Sequence, residues 1–192
     1  MVLVTKDRET KMSHTHVVPC NCAEQEWVTE QFSRDIRGLC HHGNVLLKSD
    51  QEPAILSLKR AAARNMAGIE VIPEESPVSA HAANGHVEGA IRRVAGQIRC
   101  LKDALEFQYK EPISTRHPLM AYMASHAAYL ITRLGRGKGG RAAWGLSRGK
   151  SYKRRLLPFG ERCMYMLVRG TATLAQLASN RQLFRSTYIE VK

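Results

Sequence analysis

Strand-like and helix-like spacings of apolar residues alternate along the first third of the chain. Residues 2–4 and 12–18 are apolar or alternating stretches separated by a polar turn, which predicts a β-hairpin. Four further elements are predicted after the hairpin: a helix at 24–39, a strand at 45–48, a helix at 53–66 and a strand at 69–72. This order predicts a mixed sheet with helices on its faces.

Two longer helices are predicted in the middle of the chain, and a loop precedes them. Residues 73–83 contain two prolines and no periodic face, so we expect a mobile loop there. Asn84 is a favourable N-cap for the helix that follows, and a second helix is predicted at 118–133. The first helix has apolar residues at steps of three and four: Val87, Ile91, Val94, Ile98, Leu101 and Leu105. This stripe predicts a face that packs on a core.

The last third of the chain has a weaker pattern. Residues 135–149 are rich in Gly and Arg and show neither a helical nor a strand period. Short apolar runs at 156–168 predict a small β-rich extension. We therefore divide the chain into a core at 1–134, a basic linker with the small β-rich extension at 135–168, and an unassigned tail at 169–192.

Positive charge is concentrated in the second half of the chain. The formal net charge is +12, yet residues 1–91 carry 9 Lys and Arg against 12 Asp and Glu, whereas residues 92–162 carry 16 against 4. Residues 133–155 contain nine basic residues and no acidic one. Such a block repels itself unless a polyanion neutralises it, so nucleic acid is the first partner to consider. A solvated basic tail and a patch for a membrane surface are the alternatives.

Cysteine usage and hydropathy favour an intracellular protein. The five cysteines are an odd number, and the first residues lack the charged and cleavable pattern of a secretory signal. A reducing, intracellular compartment is therefore expected. The most apolar later stretch, residues 119–134, is interrupted by His126 and Arg133 and falls short of the ~20 residues that a bilayer-spanning helix needs. We expect no membrane role.

Two carboxylates lie in settings that favour metal binding. Asp50 follows an apolar run that predicts a buried strand, and Glu88 lies in the first turns of the long helix. The 37 residues between them are enough for a helix, a strand and a loop, so a fold can bring both side chains to one divalent metal ion. Carboxylate oxygens suit such ions, which stabilise the charge that develops on a phosphodiester during attack. The pair therefore points to phosphoryl chemistry on a nucleic acid. Alternatively, Asp50 caps the helix that begins at Pro53, and Glu88 is a solvated residue.

Six short motifs occur in one order along the chain. They are KDRETKM at 6–12, KSDQEP at 48–53, ESP at 75–77, NGHVE at 84–88, RGKSY at 148–152 and PFGE at 158–161. With these motifs, roughly residues 1–168 resemble the integrase core of long-terminal-repeat retrotransposons, and the copia group in particular. Each motif is weak by itself, but their combination in this order is specific.

The resemblance implies an α/β fold of the ribonuclease-H-like type, with a mixed sheet flanked by helices, and a DNA strand-transfer reaction. In that family an acidic triad holds two Mg²⁺ or Mn²⁺ ions, and Asp50 and Glu88 match two of its members. The third member lies on a strand before the hairpin, whereas Asp7 lies in the hairpin turn and does not replace it. We therefore expect a core that lacks its first strand, as an N-terminally truncated fragment. Because two carboxylates hold a metal pair poorly, little or no activity is expected of the chain alone.

Basic residues near Glu88 and in the later basic block are candidates for binding DNA. Arg92 lies one helical turn after Glu88 and is the first candidate for a phosphate contact. The full set is Arg92, Arg93, Arg99 and Lys102 on the helix, with Arg148, Lys150, Lys153, Arg154 and Arg155 in the basic block. The alternative for the helix residues is an ordinary solvated face.

A zinc site is an alternative use of the cysteines and histidines. The residues that could form it are Cys20, Cys22, Cys40, His41 and His42, with His14 and His16 nearby. The single residue between the first two cysteines is a shorter spacing than structural zinc sites usually have, so free thiols are favoured.

The leading hypothesis is a nucleic-acid-binding integrase-core fragment of a retrotransposon, derived from a metal-dependent DNA strand transferase and inactive alone. DNA is the expected partner, a homo-oligomer is left open, and a nuclear location follows if the protein is functional. The alternatives are a noncatalytic nucleic-acid-binding protein and a nonfunctional retroelement remnant. Metal dependence separates the leading hypothesis from the noncatalytic one, since only an integrase site needs Mg²⁺ or Mn²⁺.

Overall fold

Two pairs of strands and five helices make up the part of the chain that the structure describes. The computed structural model describes residues 1–18, 25–39, 43–66, 68–75, 81–137 and 139–161. The elements are β1 (Val2–Lys6), β2 (Ser13–Val17), α1 (Glu26–Gly38), β3 (Val45–Ser49), α2 (Pro53–Asn65), β4 (Val71–Glu75), α3 (His81–Tyr109), α4 (Leu119–Leu134) and α5 (Ala143–Arg148).

The strands form two separate sheets. β1 and β2 are an antiparallel hairpin in which Lys6 lies opposite Ser13. β3 and β4 are parallel, with Ser49 opposite Glu75. Among the described residues, no strand pairs with both sheets. The predicted hairpin is confirmed, and β1 and β3 each keep one edge without a strand partner in this part of the chain.

One hydrophobic core lies between the two sheets and helices α1 and α2. Its buried members are Val18, Val28, Phe32, Ile36, Val45, Leu58, Ala62 and Met66. Leu3 of β1 and Leu47 of β3 both pack against this cluster. The two sheets therefore cover the same helices, although they do not pair with each other.

Helices α3 and α4 cover the opposite face of the hairpin. Val4 packs with a second cluster whose buried members are Val94, Ala127 and Ile131. Since successive side chains of a strand point to opposite faces, Leu3 and Val4 bring β1 into contact with both helical layers. Full burial of such a side chain contributes about 1.5–3 kcal/mol, and Leu3 and Val4, which are partly buried, contribute less.

Hydrogen bonds connect α4 to β2 at two places. The Thr132 hydroxyl donates to the Ser13 carbonyl and accepts from the Ser13 backbone N–H, both at 3.0 Å. The Ser125 hydroxyl donates to the Thr15 carbonyl at 3.0 Å. These bonds pair backbone groups of β2, and they fix the register of the helix on the strand.

A buried aspartate connects α1 to β2 on the other face. Asp35 lies 2.6 Å from the His16 Nε2 and 3.4 Å from the His14 Nδ1, and it also accepts a hydrogen bond from Gln31 at 3.1 Å. Burial lowers the pKa of His14 by more than the Asp35 carboxylate raises it. These two histidines, which the zinc hypothesis placed near its site, are thus engaged with Asp35.

Two predicted boundaries and one predicted loop differ from the structure. Residues 81–83, expected in a loop, form the start of α3, so Asn84 lies inside the helix and is not its N-cap. The alanines there favour a helix more strongly than the prolines upstream oppose it. β4 begins two residues later than predicted and continues through Pro73, which an edge strand tolerates. Residues 143–148, predicted to be irregular, form α5.

Replacing Thr132 with Val is expected to lower the free energy of unfolding by about 1–3 kcal/mol, because the buried N–H and C=O of Ser13 lose a partner each. Urea denaturation of both proteins measures the difference. Thr115→Val, at an exposed position, is the matched control and should change stability by less than about 0.5 kcal/mol. Equal losses in the two variants would contradict the role of this contact.

Candidate nucleic-acid interface and carboxylate site

Asp50 lies immediately beyond the end of β3. It is exposed, and its backbone carbonyl accepts a hydrogen bond from the Ser49 hydroxyl at 2.8 Å. Helix α2 begins at Pro53, and Glu52 occupies its N-cap position without a side-chain capping bond. The alternative in which Asp50 caps this helix is therefore wrong.

A buried lysine lies beneath the ends of β3 and β4. Lys59 is only 3% exposed, and its ammonium donates to the Ser49 hydroxyl at 3.1 Å and to the Glu74 carbonyl at 2.8 Å. Burial lowers the pKa of Lys59, while Glu75, Glu74 and Asp50 raise it in that order. A cation thus holds together the two strand ends beside Asp50. Lys59 was not predicted as a site residue, although its place one position after Leu58 on an amphipathic helix is a signal for partial burial.

Glu88 lies in the third turn of α3 and is exposed. The helix starts at His81, seven residues before Glu88, so Glu88 is farther from its N-terminus than predicted. Arg92 follows one turn later and is exposed as well. Farther along, α3 packs on β1 through Val94 and Ile98, which fixes the direction in which the helix crosses the hairpin.

The structure places Asp50 and Glu88 on different elements, and their sharing of a cation stays a prediction. In the described ranges, no group of three or more His, Cys, Asp or Glu side chains could hold a metal ion. Asp7 accepts hydrogen bonds from the backbone N–H groups of Thr10, at 2.6 Å, and Glu9, at 3.4 Å, so it is a turn residue. The candidate zinc ligands Cys20, Cys22, Cys40, His41 and His42 lie outside the described residues.

The basic residues of α3 differ in how strongly they are engaged. Arg92, Arg93 and Arg99 are exposed. Lys102 instead forms an ion pair with Glu106 at 2.6 Å. Hydrogen bonds from Lys102 and from the Ile113 N–H lower the pKa of Glu106. An anion would compete with this carboxylate for Lys102, so the arginines are the better candidates.

Residues 135–137 and 139–161, which we call the arm, fold back onto α4 through an aromatic cluster. The Arg133 guanidinium lies over the rings of Tyr129 at 3.5 Å, Trp144 at 4.6 Å and Tyr152 at 5.5 Å. The Tyr129 and Tyr152 hydroxyls are 2.8 Å apart, within hydrogen-bonding distance. Since guanidinium–aromatic contacts are favourable, this cluster holds the arm in place at its centre.

Further contacts hold the arm near its centre and at its far end. Ala143 packs with Met12 and Leu39, and Arg148 donates to the Gly38 carbonyl at 3.2 Å. At the far end, the Tyr109 hydroxyl donates to the Gly160 carbonyl at 2.7 Å. The candidate residues of the arm are all exposed: Arg148, Lys150, Lys153, Arg154 and Arg155. The arm therefore presents its cations from a backbone that packs on the core.

The predicted β-rich extension lies at the end of the arm. Its described residues, 156–161, are not in a strand, and residues 162–168 lie outside the described part of the chain. The extension stays a prediction, as does the division of the chain at residue 134.

Comparison with known proteins supports a fold and no closer relationship. No family model matches the chain, and no curated protein matches it. Among solved structures, the catalytic core domain of BIV integrase matches with a TM-score of 0.51 and 16% sequence identity, over 76% of this chain and 84% of that one. The chain has an integrase-core-like fold. The predicted mixed α/β architecture is confirmed at this level.

Within the described residues, no helix is both long enough and apolar enough to cross a bilayer. Helix α4 is rich in apolar residues, but its polar residues His126 and Thr132 are buried against the rest of the protein. Its last turn includes Arg133.

Replacing Trp144 with Ala is expected to loosen the arm without changing its charge, because Arg133 loses one of its aromatic partners. A contact of this kind contributes about 0.5–1 kcal/mol, so trypsin should cleave the arm about two to five times faster. The control is Trp27→Ala, which removes the other tryptophan. Trp27 lies on α1 and is 42% exposed, so its removal should leave the cleavage rate of the arm unchanged. Equal rates for Trp144→Ala and the parent chain would contradict the anchoring role.

Proposed function

We propose that the chain is a nucleic-acid-binding relative of retroelement integrase cores, most like those of the copia group. The observation that carries the proposal is the basic arm: its cations are exposed while its backbone is anchored on an integrase-like core. An anchored cation loses less conformational entropy on binding a phosphate than one on a mobile tail, so this arrangement favours binding. The contacts are to phosphates and are independent of sequence.

Asp50 and Glu88 are proposed as the remains of a metal-dependent strand-transfer site. Both are exposed carboxylates, and their chemistry fits Mg²⁺ or Mn²⁺. A divalent ion held by them would stabilise charge on the oxygens of a phosphodiester. Arg92, one turn beyond Glu88, would bind a neighbouring phosphate and hold the strand in place.

We propose that the chain alone is inactive because, among the described residues, Asp50 and Glu88 lack a third carboxylate with which to bind two metal ions. In the part of the chain that the structure describes, Asp7 is committed to its turn, and no third carboxylate joins the pair in a metal-binding group. A strand between β1 and β3 would be the natural position for such a carboxylate, since both strands have an edge that pairs with no described strand. A nuclear location is part of the proposal only for a functional protein, and self-association is left open.

Metal binding tests the carboxylate site without relying on activity. We expect weak Mn²⁺ binding, measured by water-proton relaxation, that is lost in both Asp50→Asn and Glu88→Gln. Glu52→Gln, at an exposed carboxylate two residues from Asp50, is the control and should keep the binding. In a strand-transfer assay with Mg²⁺ and labelled donor ends, the parent chain should yield no product; product that disappears with Asp50→Asn would contradict the inactivity. Binding that only one of the two substitutions removes would show that positions 50 and 88 do not share an ion.

Nucleic-acid binding is expected to weaken steeply with salt, because cations of the arm displace counterions from the phosphates. Duplex DNA titrated at about 50 and 200 mM salt gives the slope of log K against log salt. Replacing Lys153 and Arg155 with Gln should reduce that slope by about 2. The control removes two exposed cations from α2, Arg60→Gln with Arg64→Gln, and should leave the slope unchanged. Salt-insensitive binding by the parent chain would count against the proposal.

A noncatalytic nucleic-acid-binding protein is the second candidate. The exposed arginines of α3 and the anchored arm serve it equally well, since neither depends on a metal ion. It predicts the same salt dependence and no Mn²⁺ binding at Asp50 and Glu88.

A further inference from the structure

The turn of the β1–β2 hairpin holds lysines whose ammonium groups are bonded to neutral oxygens. The Lys6 ammonium donates to the Lys11 carbonyl and, at 3.1 Å, to the Ser13 hydroxyl. The Lys11 ammonium donates to the Arg8 carbonyl. The nearby Asp7 carboxylate instead accepts the Thr10 N–H and hydroxyl within the turn. The turn contains three cations, Lys6, Arg8 and Lys11, against the two carboxylates of Asp7 and Glu9, so its formal charge is +1.

Helix α3 adds a further cation to the same place. Burial lowers the pKa of Lys6 to about 8, and the positive charges of Arg93 and Lys11 lower it further than Asp7 raises it. Arg93 precedes Val94, which packs in one cluster with Val4, two residues before Lys6 on β1. Arg93 itself is exposed, as are Arg8 and Lys11. An anion that binds between like charges reduces their mutual repulsion.

This group of cations lies beside the arm. Met12, the residue after Lys11, packs with Ala143 of α5. Ser13, which accepts from Lys6, is bonded on its backbone to Thr132, the neighbour of Arg133. The hairpin turn and the start of the arm therefore meet at one end of the hairpin, although they are far apart in sequence.

We propose that Lys6, Lys11 and Arg93 form a phosphate-binding site that holds the backbone of the nucleic acid bound by the arm. The inference rests on the proposed function and adds a second point of contact to it. A guanidinium with two lysine ammoniums matches the oxygens of a phosphate. A bilayer is a poorer match, because the exposed residues of the turn are Arg8, Glu9 and Lys11, with no apolar side chain to insert.

Salt-dependent binding of a duplex oligonucleotide tests the site. Arg93→Gln and Lys11→Asn should each reduce the slope of log K against log salt by about 1. Asn suits position 11 because the backbone there has a φ of 67°, which Asn adopts more readily than most residues. Arg60→Gln, an exposed cation of α2, is the matched control and should leave the slope unchanged.

The ionisation of Lys6 gives a second readout that does not depend on a substitution. Its pKa, followed by NMR of the ε-methylene group, should rise from about 8 towards the ordinary lysine value of 10.5 when the oligonucleotide is saturating. Poly-glutamate at the same charge concentration should raise it less. An equal rise with poly-glutamate would overturn the nucleic-acid assignment in favour of an acidic polypeptide.

The outcomes separate this site from the wider function. A parent chain that binds no nucleic acid overturns both. The hairpin site alone is overturned if the parent chain binds nucleic acid but only the arm substitutions reduce the slope of log K against log salt. In that case Lys153→Gln with Arg155→Gln lowers the slope, whereas Arg93→Gln and Lys11→Asn leave it unchanged. An unchanged Lys6 pKa in the saturated complex would overturn it as well.

Discussion

Burial of the β1–β2 hairpin on both faces is the constraint on which the rest of the structure depends. Leu3 packs towards α1 and α2, and Val4 packs towards α3 and α4. A single strand thereby sets the positions of two helical layers. It also sets where α3 presents its arginines and where α4 ends, since Thr132 is bonded to Ser13 at the last turn of α4.

The end of α4 determines where positive charge is displayed. Arg133 follows Thr132 and stacks on Tyr129, Trp144 and Tyr152, so the arm turns back along the helix instead of extending into solvent. The rings of this cluster bind Arg133 in the last turn of α4, and the cations of the arm itself are exposed. The arm and the hairpin turn thus form neighbouring basic surfaces, and a polyanion can contact both at once.

The parallel β3–β4 pair carries the acidic part of the proposed site. Lys59 lies under its carboxyl end, bonded to Ser49 and Glu74, and compensates part of the charge of Asp50, Glu74 and Glu75. Edges of strands that lack a partner attract further strands. In the described part of the chain, this pair joins the hairpin through a shared core and not through strand pairing.

Sequence patterns alone determined the kind and order of nearly all elements, because the periods of apolar residues reflect which faces are buried. They also determined the basic character of residues 133–155 and the candidate carboxylates Asp50 and Glu88. Helix α5 escaped prediction, since a short, Gly-rich segment is stabilised by packing such as that of Ala143 on Met12. Only tertiary structure decided that Lys59 is buried under the ends of β3 and β4 and that the Lys6 ammonium is bonded to the Lys11 carbonyl. Electrostatic neighbourhoods of this kind depend on distances through space, which residue spacing along a chain does not specify.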